Sequence, residues 1–392
     1  MVEFTSPLPN PSRDPSRLGA LKMVEDAMGK LIKSGKTSII LVLLSQRDDF
    51  IYPGVKRFAA VRFGVQTQCL QLPKALNPDS KKQDQYFSNV ALKVNTKLGG
   101  INHRLDQNAH QLVDEDPDDD GGDRCNPSES NHADKDFVQF PASLRLQKSK
   151  QEGIAELADM MIERLQLFIR RNKTLPQRVL IFRDGVSEGQ YDKVLREELP
   201  QVFEAFKRID PKNPTYHPLL SIVICGKRHH ARFYASDSKD ADKNGNTKPG
   251  TVVDKGITSI FDFDFYLQAH AGLQGTVRPT HYVVIYDEIG LGADEIQQGV
   301  HTTSYLYARA TKAVSLIPAA YYADVVCEQA RYWIHGFLNQ GSDTASSSGA
   351  SASGTAGGRA AREAAEQRTY AAAQRMWGNG LHQNLKDTMF YL

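Results

Sequence analysis

The chain has 392 residues, 40% of them hydrophobic, and a formal net charge of +2. That is enough apolar material for two or three packed domains and excludes a wholly disordered chain, while a balanced charge total leaves room for a local basic groove. The four cysteines, Cys69, Cys125, Cys225 and Cys327, form no CxxC or Cys/His cluster, which argues against a disulfide framework or zinc site and for a reducing compartment. No signal-peptide pattern opens the chain and no apolar run reaches the roughly 18 residues of a membrane span, so a cytoplasmic, non-membrane protein is expected.

Leu18, Leu21, Val24, Met28 and Leu31 recur at helical spacing up to Gly35, and Thr37 to Leu44 is then a nearly continuous apolar run, the pattern of a parallel strand covered on both faces. Pro53 suits the first turn of a helix running to about Phe63. A second strand is expected over Thr67 to Leu72 and a second amphipathic helix over Gln83 to Leu98, which together make a small Rossmann-like α/β unit. Between Leu112 and Asp136, acids such as Asp114, Asp116, Asp118 and Asp120 crowd beside Gly, Asn and Ser without a calcium-loop spacing, so a solvated linker is expected. Beyond it, Val138 to Leu146 alternates like a strand, Glu152 to Arg171 is a long amphipathic helix, and Arg178 to Phe182 is a strand ending at Asp184. A helix over Glu188 to Arg208, strands over Leu219 to Cys225, Phe263 to Leu267 and His281 to Tyr286, and helical stretches across 294–337 complete a mixed α/β domain. The Gly/Ser/Ala-rich segment Gly341 to Gly358 reads as a disordered surface loop.

Two features carry chemistry on their own terms. Asp184, where a strand gives way to a Gly-containing turn, exposes a carboxylate at a sheet's end, although Asp and Gly are also ordinary turn formers. Tyr52 and Lys56, and again Lys93 and Lys97, stand four residues apart, so each pair projects from one face of its helix. A lone Lys on such a face is ordinary solvated surface; the two pairs together, three lysines and a tyrosine, are the materials of a phosphate and base pocket.

The ordered strings RDGVSEGQY (Arg183 to Tyr191), KRHHARF from Lys227, HAGLQGTVRPTHY from His270 and SLIPAAYYADVV from Ser315 resemble the PIWI domain of eukaryotic, fungal-like Argonautes. Upstream, YPGVKRF, TQCL and LKVNTKLGGIN resemble the Argonaute MID domain, and the terminal MFYL is also Argonaute-like. The resemblance covers about residues 37–337 and implies a Rossmann-like MID domain (1–105), an acidic linker (106–137) and an RNase H-like PIWI domain (138–392), without amino-terminal and PAZ domains. It further implies that Tyr52 stacks the first base of a small guide RNA while Lys56, Gln68, Lys93 and Lys97 hold its 5′ phosphate. Lys227, Arg228, Gln274, Thr276, Arg278, Arg309, Ser315 and Tyr321 would contact the guide backbone. Where many members place an Arg on the phosphate this chain has Gln329, with Arg331 two residues on. Mostly backbone contacts mean salt-sensitive, sequence-independent binding, with target RNA read by base pairing.

For catalysis the resemblance assigns Glu152, Asp184 and Asp324, with Asp184 and Asp324 as ligands of magnesium or manganese. Such hard ions take oxygen donors, and RNase H-type cutting uses two of them about 4 Å apart. The fourth carboxylate belongs on a strand bearing Asp-Val-Thr-His-Pro between Ile101 and Phe140, and that interval holds no such motif and no β-rich apolar run. Either divergence or an incomplete sequence accounts for the gap. Weakened guide binding with absent or very slow slicing is therefore expected. The alternatives are an unguided RNase H-like nuclease, against which the Lys pairs argue, and a noncatalytic module that binds silencing proteins through tryptophan motifs.

Overall fold

The computed structural model describes residues 8–35, 37–46, 48–105, 138–148, 153–213, 215–334 and 356–392. The chain divides into two compact units, one of residues 1–100, 144–151 and 325–392, the other of 101–143 and 152–324.

In the first unit, helix α1 (Leu18–Lys33) precedes strand β1 (Ile39–Leu44), helix α2 (Ile51–Arg57) with a π-helical continuation (Phe58–Phe63), strand β2 (Gln66–Gln71), the single turn α3 (Leu72–Ala75) and helix α4 (Ser80–Lys97). The expected helix, strand, helix, strand, helix order is what forms. β1 and β2 pair in parallel, Ile40 beside Thr67 and Val42 beside Cys69. Because side chains alternate along a strand, Ile40, Val42 and Leu44 face one way, where they pack with Val24 and Met28 of α1 and Val55 of α2.

The other face corrects the expectation that β1 is covered on both sides. Leu41 and Leu43 are 54% and 60% exposed. On that side Gln66, Gln68 and Leu70 of β2 are buried and α4 packs on β2. An apolar run reports what a strand is able to bury, whereas the rest of the chain decides how much cover it receives. The π-helical turn closes at Gly64, whose φ of +61° suits glycine, and a Cβ there would lie 2.0 Å from Nδ1 of His382. The carboxyl-terminal Met389, Phe390, Tyr391 and Leu392 are all buried, and Trp333 packs against Trp377 and Phe390.

The second unit is built on a five-stranded mixed sheet in the order β3-β4-β7-β6-β5, formed by Arg178–Asp184, Leu219–Gly226, Thr280–Asp287, Phe263–Gln268 and Thr251–Val253 respectively. β3 and β4 are parallel and the remaining pairs antiparallel. One face packs Val223, Phe265, Leu267 and Tyr282 against helix α7 (Ala293–Thr303) and residues 316–320. The opposite face packs Leu220 and Ile222 against α5 (Leu157–Asn172) and α6 (Leu199–Ile209), the latter preceded by helical turns from Glu188. Each fully buried Phe or Leu contributes about 1.5–3 kcal/mol, so a sheet covered on both faces is what this pattern stabilises. Helix α8 (Pro318–Arg331) begins in this unit, and α9 (Ala356–Trp377), which belongs to the first unit, begins within the stretch expected to be a loop. α9 and the short β5 had no distinct signal in the sequence.

Two further expectations change. Val138 to Leu146 forms no strand: Pro141 has no N–H to donate, and side chains anchor the segment instead, with Ser143 Oγ donating to Glu163 at 2.6 Å and Phe140 packing on Tyr322. Helix α5 starts at Leu157 rather than Glu152. Glu152, the acidic segment Leu112 to Asp136 and most of Gly341 to Gly358 lie outside the described residues. Among the described residues β3 pairs only with β4, so the sheet ends there, and none of its residues is fully buried.

Candidate functional site

The first unit gathers cations around one carbonyl. Asp48 Oδ1 accepts the N–H groups of Phe50 and Ile51 at 3.0 and 2.9 Å, fixing the start of α2, while Arg17 Nε donates to its other oxygen at 3.0 Å. Burial pushes the Asp48 carboxyl up, but the Ile51 and Phe50 N–H groups and Arg17 outweigh it and hold it below its ordinary pKa. From that anchored turn Tyr52 and Lys56 project together, the Lys56 ammonium standing 5.6 Å from the Tyr52 ring centre. Tyr332 meets Tyr52 edge-on at 5.1 Å.

Lys56 is only 4% exposed, and its Nζ donates to the carbonyl and hydroxyl oxygens of Thr67, both at 3.3 Å. Lys97, in the last turn of α4 and 3% exposed, donates to the same Thr67 carbonyl at 2.8 Å and to Gln68 Oε1 at 3.0 Å. The structure thus brings Tyr52, Lys56, Gln68 and Lys97 together. Lys93 lies one turn back on α4, half-buried. Arg331 is exposed beside Tyr332, whereas Gln329 is buried. Burial pushes the neighbouring Cys69 thiol up, and both Lys56 and Lys97 pull it back, so the two charges act on one small volume. Two buried ammonium groups this close repel each other.

In the second unit, β3 delivers Asp184 to the sheet's end, where its Oδ1 accepts the Gly185 N–H at 2.8 Å. The parallel register pairs Asp184 with Cys225, which places Lys227 just past the end of β4 beside it. Lys227 Nζ donates to Ser315 Oγ, and the Lys227 carbonyl accepts from Arg278 at 3.2 Å. Loss of water pulls the Lys227 ammonium below its ordinary pKa; Asp184 opposes this, Arg278 adds to it, and Asp324 opposes it again. Loss of water pushes the Asp324 carboxyl up and Asp184 adds to that rise, while Arg228 and Lys227 counter it. Asp184, Asp324, Lys227 and Arg228 therefore influence one another electrostatically.

Around it, Gln274, Thr276 and Arg278 are exposed on one loop, and Tyr321 packs on Tyr307 at 4.8 Å. The segment bearing Arg309 is fixed through Ala308, whose N–H donates to the Tyr322 hydroxyl and whose carbonyl accepts from Asn102 Nδ2, both at 2.8 Å. Ser315 is fixed through its carbonyl, which accepts from Thr280 Oγ1. Asn102, Thr280 and Tyr322 lie within the strings read above, yet nothing in their spacing reveals these supporting roles.

A Piwi domain family model matches residues 39–335. The chain belongs to the Piwi domain family. Among its relatives, the argonaute protein of Schizosaccharomyces pombe is 37% identical over 303 residues, which is 75% of this chain and 36% of that protein. This Piwi-domain chain spans about a third of the length of the curated argonautes it matches. Its fold is similar to the C-terminal lobe of a budding yeast Argonaute, with a TM-score of 0.74, 26% identity, and coverage of 94% of this chain and 72% of that one. It is also similar to Kluyveromyces polysporus Argonaute with a guide RNA, with a TM-score of 0.73, 26% identity, and coverage of 94% and 43%. The α/β architecture is that of an Argonaute MID and PIWI lobe, and the mixed sheet is consistent with an RNase H-like PIWI domain.

Members with an RNase H-like centre use divalent metal. Here the described residues form no group of three or more His, Cys, Asp or Glu side chains placed to hold a metal ion. Asp184 and Asp324 nevertheless fit one hard cation, because they offer carboxylate oxygens and their mutual repulsion is what such a charge relieves. Lys227 already draws on both carboxylates, and Arg228 on that of Asp324. No helix among the described residues is long and apolar enough to cross a membrane.

Proposed function

We propose that this chain binds the 5′-phosphorylated end of a small guide RNA and acts in RNA silencing. The MID domain comprises residues 1–105 and the PIWI domain 138–392. The convergence of Lys56 and Lys97 on the Thr67 carbonyl, with Gln68 at hand and Tyr52 against Lys56, carries this reading. Lys56, Gln68, Lys93, Lys97 and Arg331 hold the phosphate and Tyr52 stacks the first base. Lys227, Arg228, Gln274, Thr276, Arg278, Arg309, Ser315 and Tyr321 track the backbone, so target RNA is selected by pairing with the guide. The similarity to Kluyveromyces polysporus Argonaute with a guide RNA supports the assignment. The test is affinity for one short RNA carrying either a 5′ phosphate or a 5′ hydroxyl; equal affinities refute it.

Asp184 and Asp324 would hold a divalent ion, magnesium or manganese, which would supply Lewis-acid activation of water and of the leaving oxygen. Glu152 completes the carboxylates this sequence offers. We further propose that slicing is absent or very slow. The sequence holds no Asp-Val-Thr-His-Pro strand between Ile101 and Phe140 to supply the fourth carboxylate, and Lys227 and Arg228 counter the charge of Asp324. Guide-loaded chain incubated with a complementary RNA and magnesium or manganese leaves the target intact on this account. Rapid cutting at one position overturns that second proposal without touching the first.

A further inference from the structure

A buried amide, that of Asn246, holds the loop that carries Gln274, Thr276 and Arg278. Asn246 is 2% exposed. Its Oδ1 accepts the Val277 N–H at 2.8 Å, and its Nδ2 donates to the Gly275 carbonyl at 3.0 Å, so the two ends of one amide bracket Thr276. Only an amide side chain offers an uncharged donor and acceptor side by side in this way. Asn246 is fixed in turn by Asp242, whose Oδ1 accepts the Asn246 backbone N–H at 2.9 Å. Next to it, Thr247 Oγ1 donates at 2.6 Å to Gln268 Oε1 on β6, and Gln268 is 1% exposed.

A second tie runs from Asn244 Nδ2 to the Gly272 carbonyl at 3.2 Å. The fit is close: a Cβ on Gly272 would lie 2.7 Å from Val277 Cγ2 and 2.9 Å from Asn246 Nδ2. A continuous chain of bonds thus leads from the sheet through Thr247 and Asn246 to the two residues flanking Thr276, and no part of the RNA assignment above uses it.

We propose that Asn246 is a positioning residue for RNA, setting the spacing and direction in which Gln274, Thr276 and Arg278 meet the phosphate backbone. This inference rests on the RNA-binding reading above. Contacts to successive phosphates act together only when their donors are held at matching intervals, and a loop that must be ordered on binding loses affinity.

Binding of a 5′-phosphorylated single-stranded RNA by the whole chain, measured over a series of salt concentrations with thermal melting in parallel, tests it. Asn246→Ala weakens binding by roughly 10-fold and makes the slope of log affinity against log salt shallower by about one. Combined with Arg278→Ala, it costs less than the product of the two single losses, because both remove the same contact. Asn244→Ala, at an exposed residue, weakens binding two- to three-fold in the same sense.

A folded Asn246→Ala chain with wild-type affinity and salt slope overturns the proposal, as do fully multiplicative losses with Arg278→Ala. If Asn246→Ala does not fold, Asn244→Ala decides, and an unchanged affinity and slope overturns it. A wild-type chain that ignores RNA refutes the RNA-binding reading itself and this inference with it.

Discussion

Replacing Lys97 by Met removes one of the two buried ammonium groups while keeping most of the side chain's bulk. Both nitrogens bond the Thr67 carbonyl, at 3.3 and 2.8 Å, so they stand at most about 6 Å apart. At an effective dielectric of about 20 their repulsion is about 3 kcal/mol, which Lys97→Met relieves in the RNA-free protein. A 5′ phosphate carrying about −1.5 charge, some 4 Å from Lys97, loses about 6 kcal/mol of attraction on the same scale. The repulsion is the same with and without RNA and cancels from the binding difference, so the loss on this scale is about 6 kcal/mol, or roughly four orders of magnitude in affinity. Fluorescence anisotropy with 5′-phosphorylated and 5′-hydroxyl forms of one RNA reads it: the phosphorylated form weakens by that factor while the hydroxyl form changes several-fold at most. Equal losses for both RNAs, or no loss for the phosphorylated one, refute the pocket reasoning.

Other consequences follow from the same geometry. Tyr52→Ala removes a stacking surface and costs about 1–3 kcal/mol for both RNA forms alike, in the same anisotropy assay. Glu198, whose side chain is 5% exposed, accepts from Arg183 at 2.9 and 2.8 Å and from the Ile154 N–H at 3.1 Å. Glu198→Ala costs about 3–5 kcal/mol and lowers the melting temperature by roughly 10 °C, whereas Arg183→Leu with Glu198→Leu recovers much of that. Burial pulls His229, His270 and His301 below the ordinary imidazole pKa. Below about pH 6.5 the unfolded chain binds protons that these folded sites refuse, so stability falls as pH drops and is flat above. Melting temperatures from pH 8 to 5.5 check this, and a rise toward acid contradicts it.

Much of the candidate site was legible because it depends on local spacing. The four-residue steps from Tyr52 to Lys56 and from Lys93 to Lys97 place each pair on one helix face before any tertiary contact exists. That Lys56 and Lys97 share the Thr67 carbonyl is a matter of how α2 and α4 pack on β2, which neither helix encodes alone. Asn246 was illegible for a different reason: in an Asp- and Gly-rich stretch it reads as a turn residue, and its amide partners lie 29 and 31 residues away. The apolar run of β1 signalled a parallel strand correctly and its burial wrongly, since Leu41 and Leu43 remain exposed. Val138 to Leu146 has the alternation of a strand but, among the described residues, no ladder partner.

The proposed activity is recognition of a phosphorylated RNA end. Its most direct test is the affinity of the unaltered chain for one short RNA bearing either a 5′ phosphate or a 5′ hydroxyl, at fixed salt. The pocket of Lys56, Gln68 and Lys97 predicts a preference of at least 10-fold for the phosphorylated end, and equal affinity for both ends contradicts it.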